Sequence, residues 1–154
     1  MQPHFILKGS DIIINIYTDG SFANGNYAWA FVAYKKGLEF YRDFGLGKNE
    51  EAKSMRQVAG ELNAVIQAYK WAKDNGYKNI NIFYDYVGVE AWVTGGWKAN
   101  NKFTKMYAEY LRKPFLSGEL KFFKVSSHSG NVGNERADFM CKMAFKEREC
   151  YNLD

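Results

Sequence analysis

The order in which strand-like and helix-like segments follow one another constrains this chain more than any other property. Three strand-like runs come first. Residues 11–17 (DIIINIY) are β-branched and apolar and stop at the turn cluster Thr18-Asp19-Gly20-Ser21. Residues 27–35 (YAWAFVAYK) and 38–44 (LEFYRDF) are aromatic-rich and are separated by Lys36-Gly37, as in an antiparallel meander. The period then changes. Between Glu50 and Asn75, the residues Met55, Val58, Ala59, Leu62, Val65, Ile66 and Tyr69 recur at three- and four-residue steps, which predicts a long amphipathic helix stopped at Asn75-Gly76. Residues 79–84 (NINIFY) read as a fourth strand ending at Asp85, residues 87–93 as a short helix ended by Gly95-Gly96, and residues 102–115 as another helix. Pro114 must stand at or beyond the last turn of that helix, because it cannot donate to the ladder. Residues 119–126 (ELKFFKVS) alternate as a fifth strand, and residues 135–148 carry Ala137, Met140, Cys141, Ala144 and Phe145 at helical spacing.

Three strands, helix, strand, helices, strand, helix is the order of an α/β chain: a five-stranded mixed sheet, three antiparallel strands plus parallel crossovers, flanked by helices. The 154 residues suit one domain that buries its own core, and 47% hydrophobic residues exclude a disordered chain. Two cysteines, Cys141 and Cys150, are too few for a disulfide framework or a thiolate zinc site, which points to a reducing compartment. The N-terminus has no basic segment followed by a long apolar run, so neither a signal peptide nor a membrane span is expected, and the expected location is the cytoplasm. The net charge of +4 permits polyanion binding without requiring it.

Four carboxylates occupy suggestive places: Asp19 and Asp85 at strand ends, Glu61 on the first long helix and Asp138 on the last. Ligands of open α/β sheets gather beyond the carboxyl ends of the strands. At 100° per residue, Glu61 falls roughly 90° from the centre of its helix's apolar stripe, and Asp138 is similarly lateral, so both reach toward the sheet margin. Four converging carboxylates repel one another unless cations intervene. Mg²⁺ favours such oxygens, and two ions about 3.5 to 4 Å apart can activate a water and stabilise the leaving oxygen of a phosphodiester. Taken singly, each residue has a plainer reading: Asp19 as turn chemistry, Asp85 as a strand end, Glu61 and Asp138 as surface charges, His128 as an exposed loop histidine.

The segments YTDGS (17–21), RQVAGEL (56–62), IFYD (82–85) and HSGNVGNERAD (128–138), in this order, resemble type 1 ribonuclease H (ribonuclease HI). The resemblance covers most of the chain. It implies a ribonuclease H-like fold, one catalytic domain over residues 1–154 with its core at about 11–148, and an endonuclease that hydrolyses the RNA strand of RNA/DNA hybrids with two Mg²⁺ ions, for which Mn²⁺ can substitute. It assigns Asp19, Glu61, Asp85 and Asp138 to the metal-binding tetrad and His128 to proton handling and product departure; Glu135 is a secondary candidate for an outer metal contact. A histidine titrating near neutrality among Ser127, Ser129 and Gly130 suits that task.

The chain departs from the family in three ways: SFANGNYAWA lacks a proline, Gln57 stands where asparagine is common, and Val125-Ser126-Ser127 stand where many relatives have lysine and glycine. Ten residues between Asp85 and Gly96 leave no room for a basic handle helix, so the likeness is to the handle-less branch. RNA is told from DNA by its 2′-hydroxyl and groove shape, which makes Gly20, Ser21, Asn24 and Gln57 the substrate-binding candidates. Trp97, Lys98 and Lys102, near Phe103, suit backbone tracking along the DNA strand, or equally ordinary packing with snorkelled charges. A monomer is expected. The alternatives are a non-cleaving hybrid-binding module and a superfamily nuclease acting on DNA.

Overall fold

The structure is a computed structural model and describes residues 11–126 and 130–151. Its strands are β1 (Ile13–Ala23), β2 (Asn26–Lys35), β3 (Leu38–Leu46), β4 (Asn79–Tyr84) and β5 (Leu120–Lys124), in the sheet order β3-β2-β1-β4-β5. β1 pairs antiparallel with β2 and parallel with β4, and β4 pairs parallel with β5. The helices are α1 (Gln57–Asp74), α2 (Gly88–Thr94), α3 (Lys102–Ser117) and α4 (Val132–Tyr151). This is the mixed sheet that the element order implies.

Three boundaries differ from the sequence reading, each for a local reason. β1 does not stop at Thr18-Asp19-Gly20-Ser21 but runs on to Ala23, because β2 pairs with it throughout (Asp19↔Ala30, Ser21↔Ala28, Ala23↔Asn26). The turn lies at Asn24-Gly25, where φ is positive at both residues (51° and 77°), the requirement of the two-residue hairpin that follows a right-twisted strand. The long helix is two pieces: residues 50–55 form a 3₁₀ segment, and Arg56, with φ 56° and ψ −128°, breaks the path before α1 begins. Finally, α3 continues to Ser117, so Pro114 opens its last turn. The other end of α3 has a capping box: Asn101 Oδ1 accepts from Thr104 N–H at 2.8 Å, and Thr104 Oγ1 accepts from Asn101 N–H at 3.3 Å.

Helices cover both faces of the sheet. Ile14, Ile16, Phe31, Ile80 and Ile82 pack with Leu62, Val65 and Ala68 of α1 and with Tyr107 and Leu111 of α3. On the other face Ala30 and Val32 pack against Ala137, Met140 and Cys141 of α4, with Tyr17 and Phe44 at the rim. Fully burying each large apolar side chain contributes about 1.5–3 kcal/mol, so these two layers fix where α1 and α4 sit over β1. Among the described residues, no helix is long and apolar enough to cross a membrane.

Candidate active site

The register of the two central strands places the first pair of carboxylates. β1 and β4 run parallel with Tyr17 opposite Phe83, so two residues further along each chain Asp19 and Asp85 stand level, one on each neighbouring path. Neighbouring strands lie about 4.8 Å apart, which brings the two side chains within reach of one ligand.

Glu61 arrives from α1, and two glycines let it come so close. A Cβ on Gly20 would lie 2.0 Å from Glu61 N, and a Cβ on Gly60 would lie 2.2 Å from Ala28 O. Any side chain at either position would therefore wedge helix and strand apart. Glycine inside a helix costs about 0.5–1 kcal/mol relative to alanine, and here the close approach is what that cost secures. With α1 seated directly on β1, Glu61 is buried at 7% exposure beside Asp19 at 6%.

A carboxylate oxygen from each of Asp19, Glu61 and Asp85 lies within 4.8 Å of the others. Burial, the charge of Asp85 and, less strongly, that of Asp138 push the Asp19 carboxyl up to about 7. Glu61 is pushed well above the usual carboxylate range by burial first, then by the charges of Asp19 and Asp85. The Asp19 and Glu61 carboxyls are in hydrogen-bonding contact, and the Gly20 backbone supports both. Glu61 Oε2 is buried and takes no hydrogen bond. An orphaned buried oxygen is costly, and three carboxyls drawn together around it are a donor set that fits a hard divalent cation.

Asp138 stands outside this group of three. Its charge is felt at Asp19, and its Oδ2 pairs with Lys142 Nζ at 2.9 Å, one turn further along α4. α4 is tied to the site by Cys141, whose buried thiol donates to the Asp19 carbonyl at 3.2 Å. Sequence patterning reads Cys141 only as a small core residue. Its contact with the β1 backbone has no signal in the sequence. Gly60 did carry one, since a glycine in the interior of a strongly periodic helix marks a close approach.

The remaining sequence-singled residues spread around the cluster. Gly20 packs against α1 and is half-buried, Ser21 follows it on β1, and Asn24 is exposed in the hairpin turn. Gln57 is exposed on the first turn of α1, one turn before Glu61. Trp97 is 40% exposed and packs edge-on against Trp92 and Tyr86, the residue after Asp85. Lys102 pairs with Glu51 at 3.5 Å, an exposed ion pair that leaves its ammonium partly engaged. Lys98 is exposed, and Glu135 is exposed in the first turn of α4. His128 lies outside the described residues.

Residues 11–146 match the RNase H family. The chain belongs to that family. It is 32% identical over 141 residues to ribonuclease HI of Campylobacter jejuni, covering 85% of this chain and 90% of the relative. It is 31% identical over 152 residues to ribonuclease H of Syntrophomonas wolfei, covering 86% and 96%. Among solved structures, RNase H1 from the halophilic archaeon Halobacterium salinarum superposes with a TM-score of 0.71 at 21% identity, covering 87% of this chain and 98% of that one. LC11-RNase H1, solved in complex with an RNA/DNA hybrid, superposes with a TM-score of 0.71 at 16% identity over 88% of this chain and 99% of that one. These superpositions bear on the fold, and the family match makes the chain a ribonuclease H.

Proposed function

We propose that this ribonuclease H hydrolyses the RNA strand of RNA/DNA hybrids at the carboxylate cluster, with two Mg²⁺ ions held by Asp19, Glu61, Asp85 and Asp138, and with Mn²⁺ able to substitute. The single observation that carries the reading is the buried Asp19–Glu61–Asp85 group with its orphaned Glu61 Oε2. When bound, such ions supply Lewis-acid stabilisation of the phosphodiester and a water nucleophile at neutral pH.

The chain's own groups do the rest. Asp19 on β1 and Asp85 just past the end of the adjacent β4 set the position of the reacting phosphate relative to the sheet end. Glu61, clamped by the Gly20–Gly60 contact, fixes the inner side of the group, and Asp138 supplies the outer side once it gives up Lys142. His128 is assigned the proton handling that accompanies departure of the product. Gly20, Ser21, Asn24 and Gln57 face the minor groove and its 2′-hydroxyls, while Trp97, Lys98 and Lys102 follow the DNA strand. The chain acts in the cytoplasm as a single catalytic domain and as a monomer.

The test is incubation of a labelled RNA/DNA duplex with Mg²⁺, alongside duplex DNA and branched DNA. RNA cleavage confined to the hybrid, lost with a chelator and with Asp85→Asn, is the expected result. Cleavage that survives chelation, or hybrid binding without turnover across Mg²⁺ and Mn²⁺, would overturn it.

A further inference from the structure

A basic groove opens beside α3, away from the carboxylate cluster. It is lined by Gly95, Trp97, Lys98, Lys105, Glu109 and Arg112, among others, and encloses about 330 Å³. Three cationic side chains face one anionic one. Lys98, Lys105 and Arg112 are spaced seven residues apart, and the last two lie on the same face of α3, two turns from each other. At 1.5 Å per residue that spacing is about 10.5 Å, or roughly three steps of 3.4 Å along one strand of a nucleic-acid duplex.

The charges are available. Among the described residues, neither Lys98 nor Lys105 forms an ion pair, and both are exposed. Arg112 uses part of its guanidinium to cap the end of α2, its Nε donating to the Val93 carbonyl at 3.2 Å. Its planar fork carries five N–H donors, so others remain. One wall leads back toward the cluster: Trp97 packs edge-on against Tyr86, which follows Asp85.

We infer that this groove is a second contact for the sugar-phosphate backbone of the hybrid, with Lys105 and Arg112 extending the track that Trp97 and Lys98 begin. The inference rests on the reading of the chain as a hybrid nuclease. The backbone contact holds the duplex at a distance from the cut and makes no demand on base sequence. Because Arg112 also caps α2, the phosphate contact and the helix that follows Asp85 share one side chain.

The experiment measures equilibrium binding of fluorescein-labelled hybrid across a salt series, with Ca²⁺ in place of Mg²⁺, for the wild type, Lys105→Gln, Lys105→Arg and Arg112→Lys. Each phosphate contact removed lowers the slope of log Kd against log salt by about 0.9. Lys105→Gln is expected to lower the slope by about that much, to raise KM several-fold and to leave kcat at saturating hybrid unchanged, with Lys105→Arg restoring all three. Arg112→Lys, which keeps the charge, is expected to keep the slope. An unchanged slope and Kd in Lys105→Gln, with the thermal midpoint also unchanged, would overturn the groove. A wild type that binds hybrid with a Lys105-dependent slope but never cuts it would instead overturn the nuclease reading and leave the groove standing as a polyanion site.

Discussion

Gly60→Ala isolates the contact on which the site's geometry depends. The added methyl would lie 2.2 Å from Ala28 O, where ordinary van der Waals contact begins at 3.4 Å. Helix and strand must therefore separate by about 3.4 − 2.2 = 1.2 Å, and the atom in the way is backbone, which cannot swing aside. Overpacking against unyielding backbone falls in the upper part of its usual range, about 2–3 kcal/mol, and the helix propensity of alanine returns about 1 kcal/mol. The net loss is about 1–2 kcal/mol, which for a domain of this size lowers the thermal midpoint by about 2–8 °C. The effect on chemistry is larger. Glu61 is the next residue, and a misplacement of 1 Å can cost about 10²-fold in rate. Calorimetry and a hybrid cleavage assay on Gly60→Ala should show a folded protein with a modestly lowered midpoint and about a hundredfold loss in kcat. Gly96→Ala is the control, since the nearest atom to its added methyl is at 3.5 Å. A Gly60→Ala protein with wild-type rate and midpoint would refute the reasoning.

Other perturbations probe separate parts of the account. Glu61→Gln should abolish hydrolysis while raising the thermal midpoint in chelator at neutral pH, because it replaces a carboxyl whose ionisation is opposed by burial and by the charges of Asp19 and Asp85; differential scanning fluorimetry showing a lower midpoint would count against it. In chelator the folded chain holds protons at Asp19 up to about 7, and also at Glu61, that the unfolded chain releases near its ordinary 3.8 and 4.5. The folded state thus binds more protons across that window, and its stability should fall as pH rises from about 4 to about 7, relative to Asp19→Asn. Thermal melts with the same slope in both proteins would contradict this. Asn101→Ala removes the acceptor of the α3 capping box and should cost about 1 kcal/mol, seen in urea melts, with little change in kcat.

Much of this architecture is legible in the residues because its causes are local. The three- and four-residue period from Met55 to Tyr69 requires an apolar stripe, and NINIFY requires a buried strand. Where a cause is tertiary, the sequence reads differently. Thr18-Asp19-Gly20-Ser21 has turn chemistry, yet pairing with β2 carries it through as strand, and Gly20 serves the seat of α1 rather than a turn. The four carboxylates are recognisable by order and type, but their spacing in the chain does not show that three draw together while Asp138 pairs with Lys142. Nor does it show Lys105 and Arg112 sharing a groove with Lys98, because that depends on how the loop after α2 folds back on α3.

Crystals soaked in Mn²⁺ and measured at its absorption edge test the central claim most directly. The expected result is an anomalous peak at the carboxylate oxygens of Asp19, Glu61 and Asp85, with Glu61 Oε2 now occupied, and a second peak between Asp19 and Asp138. Peaks confined to the outer surface, with the Glu61 carboxyl still without a ligand, would contradict it.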